Sequence, residues 1–284
     1  MTWFIWRQHR GQALWVAVTL ATICTLMLWV GVGAAHALHP FRVAGCIGPD
    51  PSLVHPIAGH SCAGFERFAH RYGYTIPVFE LGVPLVLAVV GALAGAPLVA
   101  REIEQRTHLV AWTQSVTRTR WYRSKVVALG AVLTGVGLIA GFANYRLSRP
   151  LTDGRVTASR WPWFFSVGLA PAGEALLAFA LAVAIGAWTR RTLPAVGAAL
   201  VGFLVLLFVT GSVVKSLTPV SRTTGPRFVV PDDGWIIRSS DGQNVPFHPN
   251  SQFWPLQMTF LAILFALAGG LLALGWRATR TRAV

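Results

Sequence analysis

Acidic side chains are scarce in this chain, with 10 Asp and Glu among 284 residues against 24 Lys and Arg. Charged residues of both signs make up only 12%, hydrophobic residues reach 54%, and the mean hydropathy is +0.55. An ordinary soluble domain carries about 25% charged residues, so a water-facing surface of normal kind is excluded and a membrane protein is expected. The net charge of +14 suits a nucleic-acid binder only if the basic residues gather on one soluble face; here they punctuate apolar runs. No GxxxxGK[ST] phosphate loop is present, so any ATP hydrolysis must come from another polypeptide. The sequence also has no HExxH and no His inside an apolar run, which removes an intramembrane metallohydrolase. Within the runs, polarity is read mainly from Thr19, Thr22, Thr25, Thr134, Thr210 and Thr259. Such hydroxyls are expected to bond to their own helix, and a cavity lined by them suits a hydrophobic or amphipathic cargo better than an ion.

Six stretches are long and apolar enough to cross a bilayer, which takes about 20 residues each: Ala13 to Ala35, Pro77 to Val99, Val126 to Ala143, Pro171 to Trp188, Leu193 to Val214 and Leu256 to Trp276. Six crossings put both termini on one side. With the termini inside, Arg7, Arg10, Arg101, Arg106, Arg118, Arg120, Arg123, Lys125, Arg190, Arg191, Arg277, Arg280 and Arg282 fall in short inner segments, which is the bias expected of cytoplasmic loops. The outer segments dilute their basic residues with Asp50, Glu66, Asp153, Asp232, Asp233 and Asp241. Trp residues cluster near the span ends, where an amphipathic indole serves as an anchor. Ala35-His36-Ala37 mimics a signal cleavage site, but the preceding run exceeds a signal core and contains Trp15 and Trp29, so it is expected to stay as a span.

Residues 1–12 place Trp3, Phe4 and Trp6 beside Arg7, His9 and Arg10, a pattern that fits either an interfacial helix or a basic flank that sets topology. The outer loop 36–76 holds Cys46 and Cys62 with several His residues. A Zn or Cu site from Cys46, His55, His60 and Cys62 matches no compact ligand spacing, and a disulfide is the expectation on the oxidising side. Cys24, inside the first span, reads as an apolar filler. Spans two and four each begin Pro-x-x-Glu, at Pro77 with Glu80 and at Pro171 with Glu174. This reads as a pair of helix starts at the outer interface, with a ring of carboxylates at an outer mouth as the functional counterpart. A start for span four near Trp163 brings Glu174 close to the midplane, where a charge is costly, so the shorter helix is preferred. Gly91 and Gly95, like Gly137 and Gly141, form Gly-x-x-x-Gly faces for close helix packing. The loop 215–255 is long enough to cap the bundle from outside and carries no catalytic constellation.

Arg101 to Lys125, REIEQRTHLVAWTQSVTRTRWYRSK, is charged and aromatic between two apolar runs. Anionic lipid accounts for the basic residues but not for the ordered Glu, Thr and Trp, which point to a docked partner. Glu102 and Glu104, then Thr107, Leu109, Ser115-Val116-Thr117-Arg118 and Lys125, resemble the first cytoplasmic loop of the permease subunits of ABC-2 type transporters. The wording Ala111 to Trp121 looks like the actinobacterial branch. The number of spans, the amphipathic start, the inner loop at Arg190 and Arg191 and the long last loop also match.

The resemblance implies an all-α integral membrane protein, a single six-helix domain with the bundle of the type V exporter-like permeases. It implies a homodimer or heterodimer of permease subunits bound to two separate ATP-binding cassette ATPases, which carry the ATP and Mg; no cofactor is expected in this chain, and no nucleic-acid partner. It further implies a coupling helix from Glu104 to Arg118 seated in a groove of the ATPase, with Glu102, Glu104, Thr107, Trp112, Ser115 and Arg118 as the coupling residues. The expected function is ATP-driven export of a hydrophobic or amphipathic compound across the plasma membrane. A non-transporting immunity or assembly factor without an ATPase is the alternative.

Overall fold

The computed structural model describes residues 2–44, 46, 62, 64–105, 117–153, 161–217, 221–223, 235–236 and 245–281. Among the described residues seven α-helices run in chain order: α1 Thr2–Val43, α2 Phe65–Gly73, α3 Thr75–Glu104, α4 Arg118–Asp153, α5 Ala170–Thr189, α6 Thr192–Leu217 and α7 Phe253–Thr281. All but α2 are long and apolar enough to cross a membrane. A three-stranded antiparallel sheet follows α6, with β3 (Val245–His248) between β1 (Ser221–Thr223) and β2 (Trp235–Ile236). The helical expectation therefore holds, with a small sheet added in the last loop.

Boundaries differ from the sequence reading at several places: α4 runs through Pro150 to Asp153, past the span end read at Ala143, α2 forms within the segment read as the outer loop, and α1 departs at both ends. Residues 2–12 do not form a separate element: α1 is one helix of 42 residues, about 63 Å at 1.5 Å per residue, well beyond a hydrocarbon core of about 30 Å. It also runs through Pro40 into the region read as outer loop. Cys46, just past its end, is bridged to Cys62, just before α2, with Cα atoms 5.8 Å apart.

Helix α5 is the hub and packs against α3, α4, α6 and α7. Its sequence explains this, because Ala172, Ala175, Ala178, Ala180 and Ala182 carry little side chain, and all are buried. Small residues on the neighbours then bring backbones together. A Cβ on Gly95 of α3 would lie 2.5 Å from the Phe179 carbonyl, and one on Gly91 2.9 Å from that of Ala175. On α4, Gly137 abuts the Pro171 carbonyl and Gly141 that of Gly168. Both Gly-x-x-x-Gly faces are thus used within the chain, as dispersion-driven packing in lipid favours. By contrast α6 buries one stripe, including Ala195, Ala199, Phe203, Thr210 and Val214, and exposes Val201, Leu204, Val205 and Phe208.

Candidate functional site

Two regions gather the polar groups of the bundle. One is a sunken turn before α5. The other is the end of the bundle where α3 stops and α4 and α6 begin.

The sunken turn follows from Pro171 and its neighbours. Trp161–Trp163 form one 3-10 turn, and residues 164–169 descend beside α4 without regular helix. Gly168 N–H donates to the Gly141 carbonyl (2.9 Å) and Asn144 Nδ2 to the Ser166 carbonyl (2.9 Å). Helix α4 continues beyond Gly141 by roughly twelve residues, about 18 Å, so α5 starts deep in the bundle. Pro171 has no N–H to give the Val167 carbonyl, and Gly168 spends its N–H on α4 rather than on the Phe164 carbonyl. Gln257 of α7 fills both gaps: its Nε2 donates to the Phe164 and Val167 carbonyls (2.9 Å each), and its Oε1 accepts from Leu169 N–H (2.9 Å). An aromatic shell surrounds this junction, with Phe164 near Phe253 (5.8 Å) and Phe260 (5.7 Å) and Trp161 near Phe253 (5.4 Å) between ring centroids.

This depth corrects the reading of Glu174. The helix is short, as preferred, yet it does not begin at an outer interface, because the preceding turn is itself buried. Glu174 has 0% exposure and neither carboxylate oxygen has a hydrogen-bond partner. Glu80, in the second turn of α3, is only partly buried, so the two carboxylates do not form one exposed ring.

Asn144 and Gln257 are the polar residues that the sequence reading passed over. A lone amide in an apolar span was the available signal, since such a group is retained only where it finds partners. The threonines behave as expected: Thr22, Thr134, Thr210 and Thr259 each donate to the carbonyl four residues earlier.

At the other end, Glu104 is the last residue of α3, and the coupling helix expected from it to Arg118 falls on residues 106–116, outside the described residues. A carboxylate there meets the negative end of the α3 dipole, an unfavourable position for a negative charge. It is instead engaged by Thr192 at the start of α6, whose hydroxyl donates to Glu104 Oε2 (2.9 Å). The tight turn before α6 depends on Arg190, which adopts a left-handed conformation with φ 58° and donates its N–H to the Gly186 carbonyl (3.0 Å). Thr117 caps α4, its hydroxyl accepting from Arg120 N–H (3.3 Å), so Arg118 is the first helical residue. Lys125 sits over the buried Trp121 ring at 4.8 Å, and Tyr122 donates to the Leu272 carbonyl (2.8 Å), tying α4 to α7. Thr107, Trp112 and Ser115 lie outside the described residues, as does the side chain of Glu102.

The sequence model of the family described as ABC-2 membrane transporter related matches residues 14–215, well over half of the chain. The chain belongs to that family. No curated protein and no solved structure matches it. This ABC-2 protein is accordingly a multi-pass, permease-type membrane component, of a kind that generally works with an ATPase partner. The match takes in the segment 101–125 together with the spans on either side, and stops at the end of α6.

Proposed function

We propose that the chain is the permease subunit of an ATP-driven exporter of hydrophobic or amphipathic compounds in the plasma membrane. Both termini face the cytoplasm, and a separate ATP-binding subunit docks at the end of the bundle that carries residues 101–125 and the α5–α6 turn. The family match over residues 14–215 carries this reading. The geometry supports a route for coupling: the Glu104–Thr192 hydrogen bond joins the end of α3 to the start of α6, so a push on the 101–125 segment is felt by α6 directly. Because α6 is buried along one stripe only, it moves with far less loss of packing than the largely buried α5. Two permease copies and two ATPases complete the transporter.

The test is co-purification with the ATP-binding subunit and measurement of ATP hydrolysis in the presence of hydrophobic compounds. The isolated chain is expected to hydrolyse none. Glu104→Lys reverses the charge and breaks the link to Thr192, and should lower ATPase association or cargo-stimulated hydrolysis by about tenfold, or about 1.4 kcal/mol. Thr192→Val breaks the link alone and should leave association intact while lowering stimulation. Glu66→Lys on the exposed face of α2, at the far end, should do neither. Wild-type association and stimulation in Glu104→Lys at normal membrane yield would remove the coupling role from this segment.

A further inference from the structure

Glu174 is the buried acidic group that the coupling route leaves unused. Burying a carboxyl without a partner is costly, and an ionisable side chain inside a membrane bundle is a mark of function more often than of packing. Its surroundings can be read from the helix register. Leu181, seven residues further along α5 and so on the same face, meets Gly202 of α6, where an added Cβ would lie 3.6 Å from its side chain. Glu174 therefore faces α6. The two helices are antiparallel, which puts its level on α6 near Val209 and Thr210, and Thr210 is buried at 4% exposure. The ring of Phe165 reaches Gly211, 2.8 Å from its Cβ position, and closes this seam toward the far end.

The basic residues of the surrounding helices stand toward the helix ends: Lys215 near the far end of α6, Arg146 and Arg149 on the far part of α4, Lys125, Arg277 and Arg280 near the termini end. None of them is hydrogen-bonded to the Glu174 oxygens. Thr210 spends its hydroxyl proton on the Leu206 carbonyl (2.6 Å) and keeps lone pairs free to accept. With Glu174 ionised the seam presents acceptors only, a carboxylate and a hydroxyl oxygen, between apolar walls that include Phe203 and Leu181. That is the complement of a positively charged, hydrogen-bond-donating or soft cationic centre on a hydrophobic body.

We propose that Glu174, with Thr210 across the α5–α6 seam, is the binding site for the cationic group of a lipophilic cargo, reached when α6 parts from α5. The lipid-exposed side of α6, with Leu204, Val205 and Phe208, offers such a compound a lateral approach from the bilayer. The cargo role rests on the export reading above, whereas the site itself is measured on this chain alone.

The experiment uses the full chain in lipid nanodiscs and radiolabelled tetraphenylphosphonium as the cationic probe, with Nile red as an uncharged one. Wild-type protein should bind tetraphenylphosphonium saturably, and Glu174→Gln should weaken that binding by at least about tenfold while Nile red binding stays unchanged. Thermal unfolding of Glu174→Gln should be no lower than wild type, since an unpartnered amide is cheaper to bury than an unpartnered carboxylate. A second measurement needs no variant: tetraphenylphosphonium should protect Glu174 of the wild-type chain from modification by a hydrophobic carbodiimide, read by peptide mass spectrometry. Absence of saturable binding, equal binding by Glu174→Gln, or unprotected modification would each overturn the site. Binding that obeys these rules in a chain that never stimulates an ATPase would keep the site and remove the exporter.

Discussion

Replacing Gln257 with Leu removes three hydrogen bonds from the junction between α7 and the turn before α5, and adds no large cavity because the two side chains are close in volume. If Gln257 were only a packing residue, the change would cost less than about 1.5 kcal/mol, the usual limit for volume-conserving swaps. The geometry requires more. Leu169 N–H and the Phe164 and Val167 carbonyls would be left without their present partner; Val167 cannot turn to Pro171, and the Gly168 N–H is engaged by Gly141. In a membrane protein each such bond is worth about 0.6 kcal/mol on average and at most about 1.7, so three give about 2–5 kcal/mol. Local opening of this segment should then be faster by about 30-fold to several thousandfold, at tenfold per 1.4 kcal/mol. Hydrogen–deuterium exchange of peptides covering 161–172, with thermal unfolding of the purified chain, reads both quantities. Asn144→Leu removes one bond and should produce the smaller shift, and Thr259→Val, whose hydroxyl serves only its own helix, should change the exchange of this segment little. A Gln257→Leu chain with less than about tenfold faster exchange and under about 1 kcal/mol lost stability would refute the claim that Gln257 holds the sunken turn.

Two further outcomes follow from packing and from the far loop. Gly141→Ala sets a methyl against the Gly168 carbonyl and should lower stability by about 1–3 kcal/mol, whereas Gly135→Ala on the same helix, with nothing within 4 Å of the new Cβ, should raise it by about 0.5–1 kcal/mol through helix propensity; equal signs in thermal unfolding would contradict the assigned face of α4. Peptide mapping of non-reduced protein should recover Cys46 joined to Cys62 with Cys24 free, and Cys46→Ser should cost about 3 kcal/mol; finding both thiols free in folded protein would remove the bridge.

The candidate site was legible only in parts. The charged segment at Arg101 to Lys125 stands out because a loop between spans has no reason of its own to order Glu, Thr and Trp. The tie from Glu104 to Thr192 was not visible, since the residues are far apart in sequence and a Thr opening an apolar helix looks like an ordinary cap. Gln257 was passed over because one amide near the start of a long apolar run changes neither the mean hydropathy nor the span boundary.

The sequence by itself determined the class of this protein. Six apolar runs, scarce charge and Gly-x-x-x-Gly faces leave only a helical membrane bundle, because backbone polar groups in lipid must be satisfied within each span. What only the tertiary structure decided is depth and pairing. Pro171 looks the same in one dimension whether its helix begins at the surface or in the middle of the bundle. The choice is made by Asn144, Gly141 and Gln257, which supply the backbone partners that proline and the turn leave open, and it carries Glu174 inward with them. Depth is set by hydrogen bonds between distant segments, and composition along one run holds no record of them.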